Sequence, residues 1–400
     1  MSVTKDKNFK NFKKQTQRIR GGLHRSSHGE TSEAIFMNSG YVFKNAEEAE
    51  MRFAGKAKGY MYSRYGNPTV TMLEDRLALH DGAEACFATA SGMSAVFASL
   101  MSILKSGDHV VSSRALFGSC HHIINQILPR YGISTELIEG TNLSQWEKYI
   151  TPKTRCIFLE TPSNPMMEII DIRSVSEIAH KNNALVIVDN IFASPVLQNP
   201  IEYGADIVVY SGTKHIDGQG RSLGGAILSS KQLYEDNIKP FLRHTGPTLS
   251  PFNAWILLKG LETLKYRMNQ HCKNAQRIAN YLSIHPKIKK TIYPGLKNHP
   301  QYQLAQKQMS QPGSIVTFNL QDKKNAFKFI NALEIFDISN NLGDTKSLAT
   351  HPSTTTHRVI GEKARLDLNI LEGTVRLSIG LEDIEDLIRD IDQALNKVAQ

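Results

Sequence analysis

The stretch Val208-Val209-Tyr210-Ser211-Gly212-Thr213-Lys214-His215 decides the fold. It begins as an apolar, β-branched run and breaks into small hydroxyl and glycine residues before a single lysine. Such a run reads as a buried strand of a parallel sheet, whose carboxyl end delivers residues to a site. A lysine just past that strand is costly to bury unless its amine is neutral or bonded to something. An imine with an aldehyde cofactor is one solution, and pyridoxal phosphate is the common one. Upstream, Ala184-Leu185-Val186-Ile187-Val188-Asp189-Asn190 reads as a second strand ending in an aspartate. Pyridoxal chemistry needs a carboxylate against the ring nitrogen, because the protonated pyridinium is the electron sink. Alone, Asp189 reads as a turn or cap residue and Lys214 as a solvated side chain. At the ends of two strands, 25 positions apart, they point together to that cofactor.

Length and composition set the frame. Four hundred residues exceed what one core supports, so two lobes and an arm are expected. The chain is 40% hydrophobic and 21% charged, an ordinary globular balance. No apolar run approaches the ~20 residues of a membrane helix, and no secretory segment is evident. Cys86, Cys120, Cys156 and Cys272 lie far apart without a CxxC pair. They read as reduced, mostly buried thiols of a cytoplasmic enzyme, with no metal site among them. The net charge of +9 is uneven: residues 1–30 hold eight Lys and Arg against Asp6 and Glu30, and so supply +6 of it. Lys5, Lys7, Lys10, Lys13, Lys14, Arg18, Arg20 and Arg25 read first as a solvated terminus. A nucleic-acid-binding arm or a transit segment is the alternative, but few aromatics interleave with these residues.

Asp189-Asn190 followed by Ser211-Gly212-Thr213-Lys214-His215 resembles the Cys/Met-metabolism family of pyridoxal phosphate enzymes, from about residue 18 to the C-terminus. The resemblance implies a fold-type-I α/β transferase, with a mixed, mostly parallel sheet carrying helices on both faces. It also implies an arm over residues 1–62 packing on a neighbouring subunit, a large cofactor-binding domain over 63–258, and a smaller α+β domain over 259–400. The implied assembly is a homo-oligomer, at least a dimer and by family habit a dimer of dimers.

In chain order, Tyr62-Ser63-Arg64-Tyr65-Gly66-Asn67-Pro68-Thr69 closes the arm, with Thr69 expected to cap a helix from Val70 to His80. By themselves Tyr62 and Arg64 read as surface packing. The resemblance makes them phosphate contacts reaching into a neighbouring subunit, and Tyr62 a phenol for acid–base work. Ser91-Gly92-Met93 precedes a helix, a natural phosphate seat at exposed backbone N–H groups, and by resemblance Gly92 and Met93 donate there. His109–Ser113 reads as a strand, after which Phe117 is implied to stack on the cofactor ring. Phe117 cannot transfer a proton, which counts against a γ-lyase.

Cys156–Glu160 is a further strand, running into Thr161-Pro162-Ser163-Asn164-Pro165. Asn164 is implied to sit by cofactor and substrate carboxylate. The glycine-rich run Asp217–Gly225 does not match a dinucleotide fingerprint. A long helix is expected over Ala254–Ile284, a loop region over Pro286–Pro312, strands at Gly313–Asn319 and Thr374–Gly380, and a last helix over Ile384–Val398. Arg376 inside a short apolar strand needs an anionic partner, either a structural carboxylate or, by resemblance, the substrate's α-carboxylate. Asn341 is a further implied substrate contact, and Tyr65 a contact for the ester tail.

The run Arg243–Trp255 resembles the branch of the family that joins sulfide to O-succinylhomoserine, giving homocysteine. The implied roles are Lys214 holding the cofactor and moving protons, Asp189 opposing the ring nitrogen, and Ser211 and Thr213 joining the phosphate seat. Transfer to cysteine, giving cystathionine, and γ-elimination are the readings left open within the family.

Overall fold

The computed structural model describes residues 9–398; the basic positions Lys5 and Lys7 lie outside them. Seven strands form the first sheet: β1 Ala85–Thr89, β2 His109–Ser113, β3 Ser134–Ile138, β4 Thr154–Glu160, β5 Leu185–Asp189, β6 Ile207–Ser211 and β7 Gly225–Ser229. Their order is β1-β7-β6-β5-β4-β2-β3. The run from β6 to β3 is parallel, while β7 pairs antiparallel with both β6 and β1. The expected mixed, mostly parallel sheet is therefore present.

Alternation sorts the strand residues onto two cores. Val186, Val188, Val208 and Tyr210 face one layer of helices, and Ile187, Ile207 and Val209 face the other. Both faces are dry, which is why these strands read as unbroken apolar runs. Each fully buried aliphatic side chain contributes about 1.5–3 kcal/mol through burial. At the carboxyl edge, β4, β5 and β6 end side by side in Glu160, Asp189 and Ser211.

The second sheet comprises β8 Lys290–Ile292, β9 Ile315–Asn319, β10 Asp337–Ile338, β11 Leu348–Thr350 and β12 Thr374–Ser378, in the order β10-β11-β12-β9-β8. In β12, Val375 and Leu377 enter the core beneath the helices Lys323–Ala332 and Ile384–Asn396. A period of two turns Thr374, Arg376 and Ser378 to the opposite face. The 34-residue helix Pro251–Ile284 serves both lobes. Its first half packs in the core of the large sheet and its end in the core of the small one. The expected division at residue 258 falls inside this helix.

Three local expectations need correction. Asn67 rather than Thr69 caps the helix Pro68–Asp81, its side chain accepting from the Thr69 N–H. The segment Pro286–Pro312 holds β8 and the helix Tyr302–Gln308, not only loop. The arm, whose weak periodicity and many polar residues read as extended chain, is helical at Lys14–Arg20 and Ala46–Phe53. The arm is anchored by Glu33, which is buried and pairs with both Arg76 and Lys259, while Trp255 donates to the Glu33 carbonyl at 3.0 Å. No described helix is long and apolar enough to cross a membrane.

Candidate active site

A cavity of about 250 Å³ opens where the carboxyl ends of β4, β5 and β6 meet the polar face of β12. Lys214 lies just past β6 in a tight turn, mostly buried, and its amine donates to Asn341 Oδ1 at 2.5 Å. Burial, then the nearby Arg376 charge, lowers that amine from its ordinary value to about 8. A lysine so placed holds a substantial neutral fraction near neutrality, as a nucleophile or base requires.

Asp189 is 2% exposed, and Oδ1 accepts the Ile191 N–H at 3.1 Å. Burial pushes its carboxyl up to about 7, against the pull of that one backbone donor. Such a carboxylate gains from a cationic N–H brought against it. Glu160 ends the adjacent strand in register with Asp189. Its two oxygens accept the Phe117 and Asn164 N–H groups, each at 2.8 Å. Burial, then Asp189, raises the Glu160 carboxyl well above its ordinary value.

The helix Gly92–Met101 begins at the other end of the cavity. Ser91 caps it by accepting from the Ser94 N–H. Ser91, Gly92, Met93, Ser211 and Thr213 all line the cavity. A Cβ on Gly92 would stand 2.6 Å from Ser211 Cβ, so only glycine lets strand end and helix start close together. The result is a ring of hydroxyl and backbone donors at the positive end of a helix, suited to a phosphate dianion.

Arg376 is 1% exposed and sits above this floor. It donates to Asn164 Oδ1 and to the carbonyls of Asn340 and Asn341, each at 3.0 Å. Its Nε has no hydrogen-bond partner, and among the described residues no carboxylate forms an ion pair with it. Burial lowers it to about 10, with Glu160 acting oppositely from a distance. A structural salt bridge is thus not what holds this guanidinium, and an incoming carboxylate would meet an unspent positive charge.

The cavity therefore brings together Gly92, Met93, Phe117, Asn164, Asp189, Ser211, Thr213, Lys214 and Arg376, with Asn341 reaching Lys214. It does not include Tyr62, Arg64 or Tyr65. Tyr62 is 43% exposed. Arg64 donates to the Arg243 carbonyl, and the Tyr65 ring meets the guanidinium groups of Arg64 and Arg243 at 4.7 and 3.8 Å. Arg221, which the resemblance also offers as a contact for the ester tail, is bound to Asp217, with Nε–Oδ1 at 2.9 Å, and does not line the cavity. Sequence reasoning missed Ser91, Cys120, Glu160 and Asn340. Glu160 had a readable signal, as it opens the Glu-Thr-Pro-Ser-Asn-Pro run at a strand end.

The arrangement of this cavity suits an aldehyde cofactor that carries a phosphate and a protonated ring nitrogen, which is the chemistry of a pyridoxal phosphate enzyme. The donor set fits the group: Asp189 has room for a ring N–H, the Ser91–Met93 turn for a phosphate, and Lys214 for an aldehyde carbon. Residues 15–396 match the family described as Cys/Met metabolism PLP-dependent enzyme. The O-succinylhomoserine sulfhydrylase of Mycobacterium tuberculosis strain H37Rv is 52% identical over 383 residues, 94% of each chain. That of Pseudomonas aeruginosa is 44% identical, over 95% of this chain and 94% of its own. A solved structure described as an O-acetylhomoserine (thiol)-lyase from Campylobacter jejuni carries N'-pyridoxyl-lysine-5'-monophosphate. It superposes with a TM-score of 0.93 at 34% identity, covering 96% of this chain and all of the other. The chain belongs to the Cys/Met metabolism family of pyridoxal phosphate-dependent enzymes.

Proposed function

We propose that the enzyme carries out γ-replacement on O-succinylhomoserine, with sulfide as the incoming nucleophile and homocysteine and succinate as products. The observation that carries the reading is the placement of Lys214 and the unpaired Arg376 in one cavity, an amine for proton transfer beside a clamp for an amino-acid carboxylate. The choice of reaction is supported by the likeness to two O-succinylhomoserine sulfhydrylases.

Pyridoxal phosphate, when bound, supplies the electron sink that makes the hydrogens near the amino carbon acidic. Asp189 keeps a positive charge favourable at the ring nitrogen. Gly92, Met93, Ser211 and Thr213 would hold the phosphate, with Phe117 on the cavity wall beside the ring. Arg376 and Asn164 take the substrate carboxylate and fix the amino carbon over Lys214. The Lys214 amine would remove the α proton, hand it on to the conjugated system beside it, and, neutral again, remove a β proton. The γ C–O bond breaks, releasing succinate, and hydrosulfide forms the γ C–S bond. Lys214 returns protons to the β and α carbons, and homocysteine leaves.

Tyr62, Arg64 and Tyr65 enter this scheme through a second copy of the chain. In this reading residues 1–62 form the arm that reaches a neighbour's cavity, 63–258 the cofactor lobe and 259–400 the small lobe. The exposed Ile35, Met37, Val42, Phe53 and Tyr62 along that arm support the arrangement, because such apolar surface is costly in water. Four free, buried cysteines fit a cytoplasmic setting. The test is a competition: O-succinylhomoserine with sulfide and cysteine together, products identified by mass. Homocysteine as the main product supports the reading; cystathionine would move the enzyme to another branch, and 2-oxobutyrate alone would make it a lyase.

A further inference from the structure

Glu160 is the one charged side chain of the cavity to which the scheme above gives no task. Its position is constrained from several directions. It ends β4 opposite Asp189 on β5, and is 3% exposed. Cys120, Glu160 and Asp189 bring their side-chain sulfur and oxygen atoms within 4.8 Å of one another. Two buried carboxylates so close repel, and both are costly to keep from water. A glutamine would fit the same space at lower electrostatic cost, so a neutral structural role leaves this acid unexplained.

What the acid offers here is an accepting oxygen for each of two backbone donors. Oε2 accepts from the Phe117 N–H and Oε1 from the Asn164 N–H, both at 2.8 Å. Phe117 begins the cavity wall and caps the short helix Gly118–His122. Asn164 passes the tie onward, since its Oδ1 accepts from Arg376 Nη1 at 3.0 Å. One side chain thus joins the aromatic wall to the carboxylate clamp of the small sheet. A glutamine could satisfy only one of the two N–H groups, because its NH₂ end would face the other donor.

We propose that Glu160 is a positioning residue that sets the Asn164–Arg376 clamp and the Phe117 wall to a common register, so that substrate carboxylate recognition depends on it. It touches neither reacting atom and acts through its two backbone bonds. The inference rests on the reading of Arg376 as the carboxylate clamp, but not on which nucleophile the enzyme uses.

The test uses the holoenzyme and two unreactive amines, glycine and glycinamide, which differ only in the carboxylate. Binding of each is followed by the change in the cofactor's absorbance, in wild type, Glu160→Gln and Glu160→Asp. Loss of one of the two backbone bonds predicts that glycine binds about tenfold more weakly in Glu160→Gln, while glycinamide stays within about twofold. Equal weakening of both amines would mean a general structural role and overturn the proposal, as would no change in either. Glycine and glycinamide binding alike in the wild type would instead sink the Arg376 reading itself. Should neither variant fold, amide exchange in the wild-type holoenzyme decides: rapid exchange at Phe117 or Asn164 would rule out the tie, and slow exchange at both supports it.

Discussion

The Lys214 amine donates to Asn341 Oδ1 at 2.5 Å, so the group proposed to hold the cofactor also contacts a loop of the small lobe. Asn341 accepts a bond from the amine and favours its protonated form. Burial and Arg376 hold the amine near 8. Below that pH the amine is a cation and cannot condense with an aldehyde, whereas above it the neutral form dominates. Cofactor uptake by the cofactor-free protein is expected to rise about tenfold per pH unit up to 8 and then level off. In Asn341→Ala the midpoint should move down by up to about one pH unit. Stopped-flow recording of the imine band reads both.

On the proposed scheme, Lys214→Ala removes the base and the attachment point together. Turnover should fall by at least about a thousandfold, with pyridoxal phosphate lost on gel filtration where the wild type keeps it. Retained turnover with a rate near that of the wild type would exclude Lys214 from the chemistry.

Arg376→Lys keeps a positive charge but gives up the planar fork. An ammonium has three N–H donors, so meeting the Asn164 amide and the Asn340 and Asn341 carbonyls would leave none for a substrate carboxylate. Steady-state kinetics should show kcat/KM lower by about a hundredfold, mostly through KM. An effect on kcat alone would argue against a clamp for the bound carboxylate.

Subunit mixing tests the arm. If Arg64 serves a neighbour's cavity, Arg64→Ala and Lys214→Ala are each inactive alone but complement one another in a hybrid. One intact site per hybrid dimer, with random reassociation, predicts recovery to about a quarter of wild-type turnover. No recovery, with hybrids confirmed by mass, would place Arg64 at its own chain's site or at none.

Glu33→Gln probes how the arm is held. The Arg76 and Lys259 charges it pairs with lie at the start of the long helix and on its neighbour. Breaking a buried pair costs about 3–5 kcal/mol. Thermal melting should show the loss, and limited proteolysis should find the arm cleaved first.

Strand ends were the readable part of this chain because strands dry on both faces leave unbroken apolar runs, and the breaks mark the site edge. That is why Asp189, Ser211 and Lys214 could be placed from sequence. β8 was hidden because its three residues, Lys290 to Ile292, are a strand only through pairing with β9, which is tertiary context. The helix Ala46–Phe53 did carry a local mark, Asn45 followed three residues on by Glu48, whose N–H bonds to the Asn45 side chain. Glu160 was legible only as the first residue of the Glu-Thr-Pro-Ser-Asn-Pro run, because its bonds to N–H groups 43 and 4 positions away are set by tertiary context. Tyr62, Arg64 and Tyr65 could be assigned only by resemblance, since nothing within one chain brings them to the cavity.

Cys86, Cys120, Cys156 and Cys272 are all free and buried. Burial raises each thiol, to about 12 for Cys156 and Cys272 and well above the ordinary value for Cys86 and Cys120. A protonated thiol neither attacks nor exchanges. On the proposed reaction the protein works among hydrosulfide and a thiol product, reagents that scramble accessible sulfur. By keeping its sulfur un-ionised, even at Cys120 on the cavity wall, the chain presents little thiolate to the very compounds it would handle.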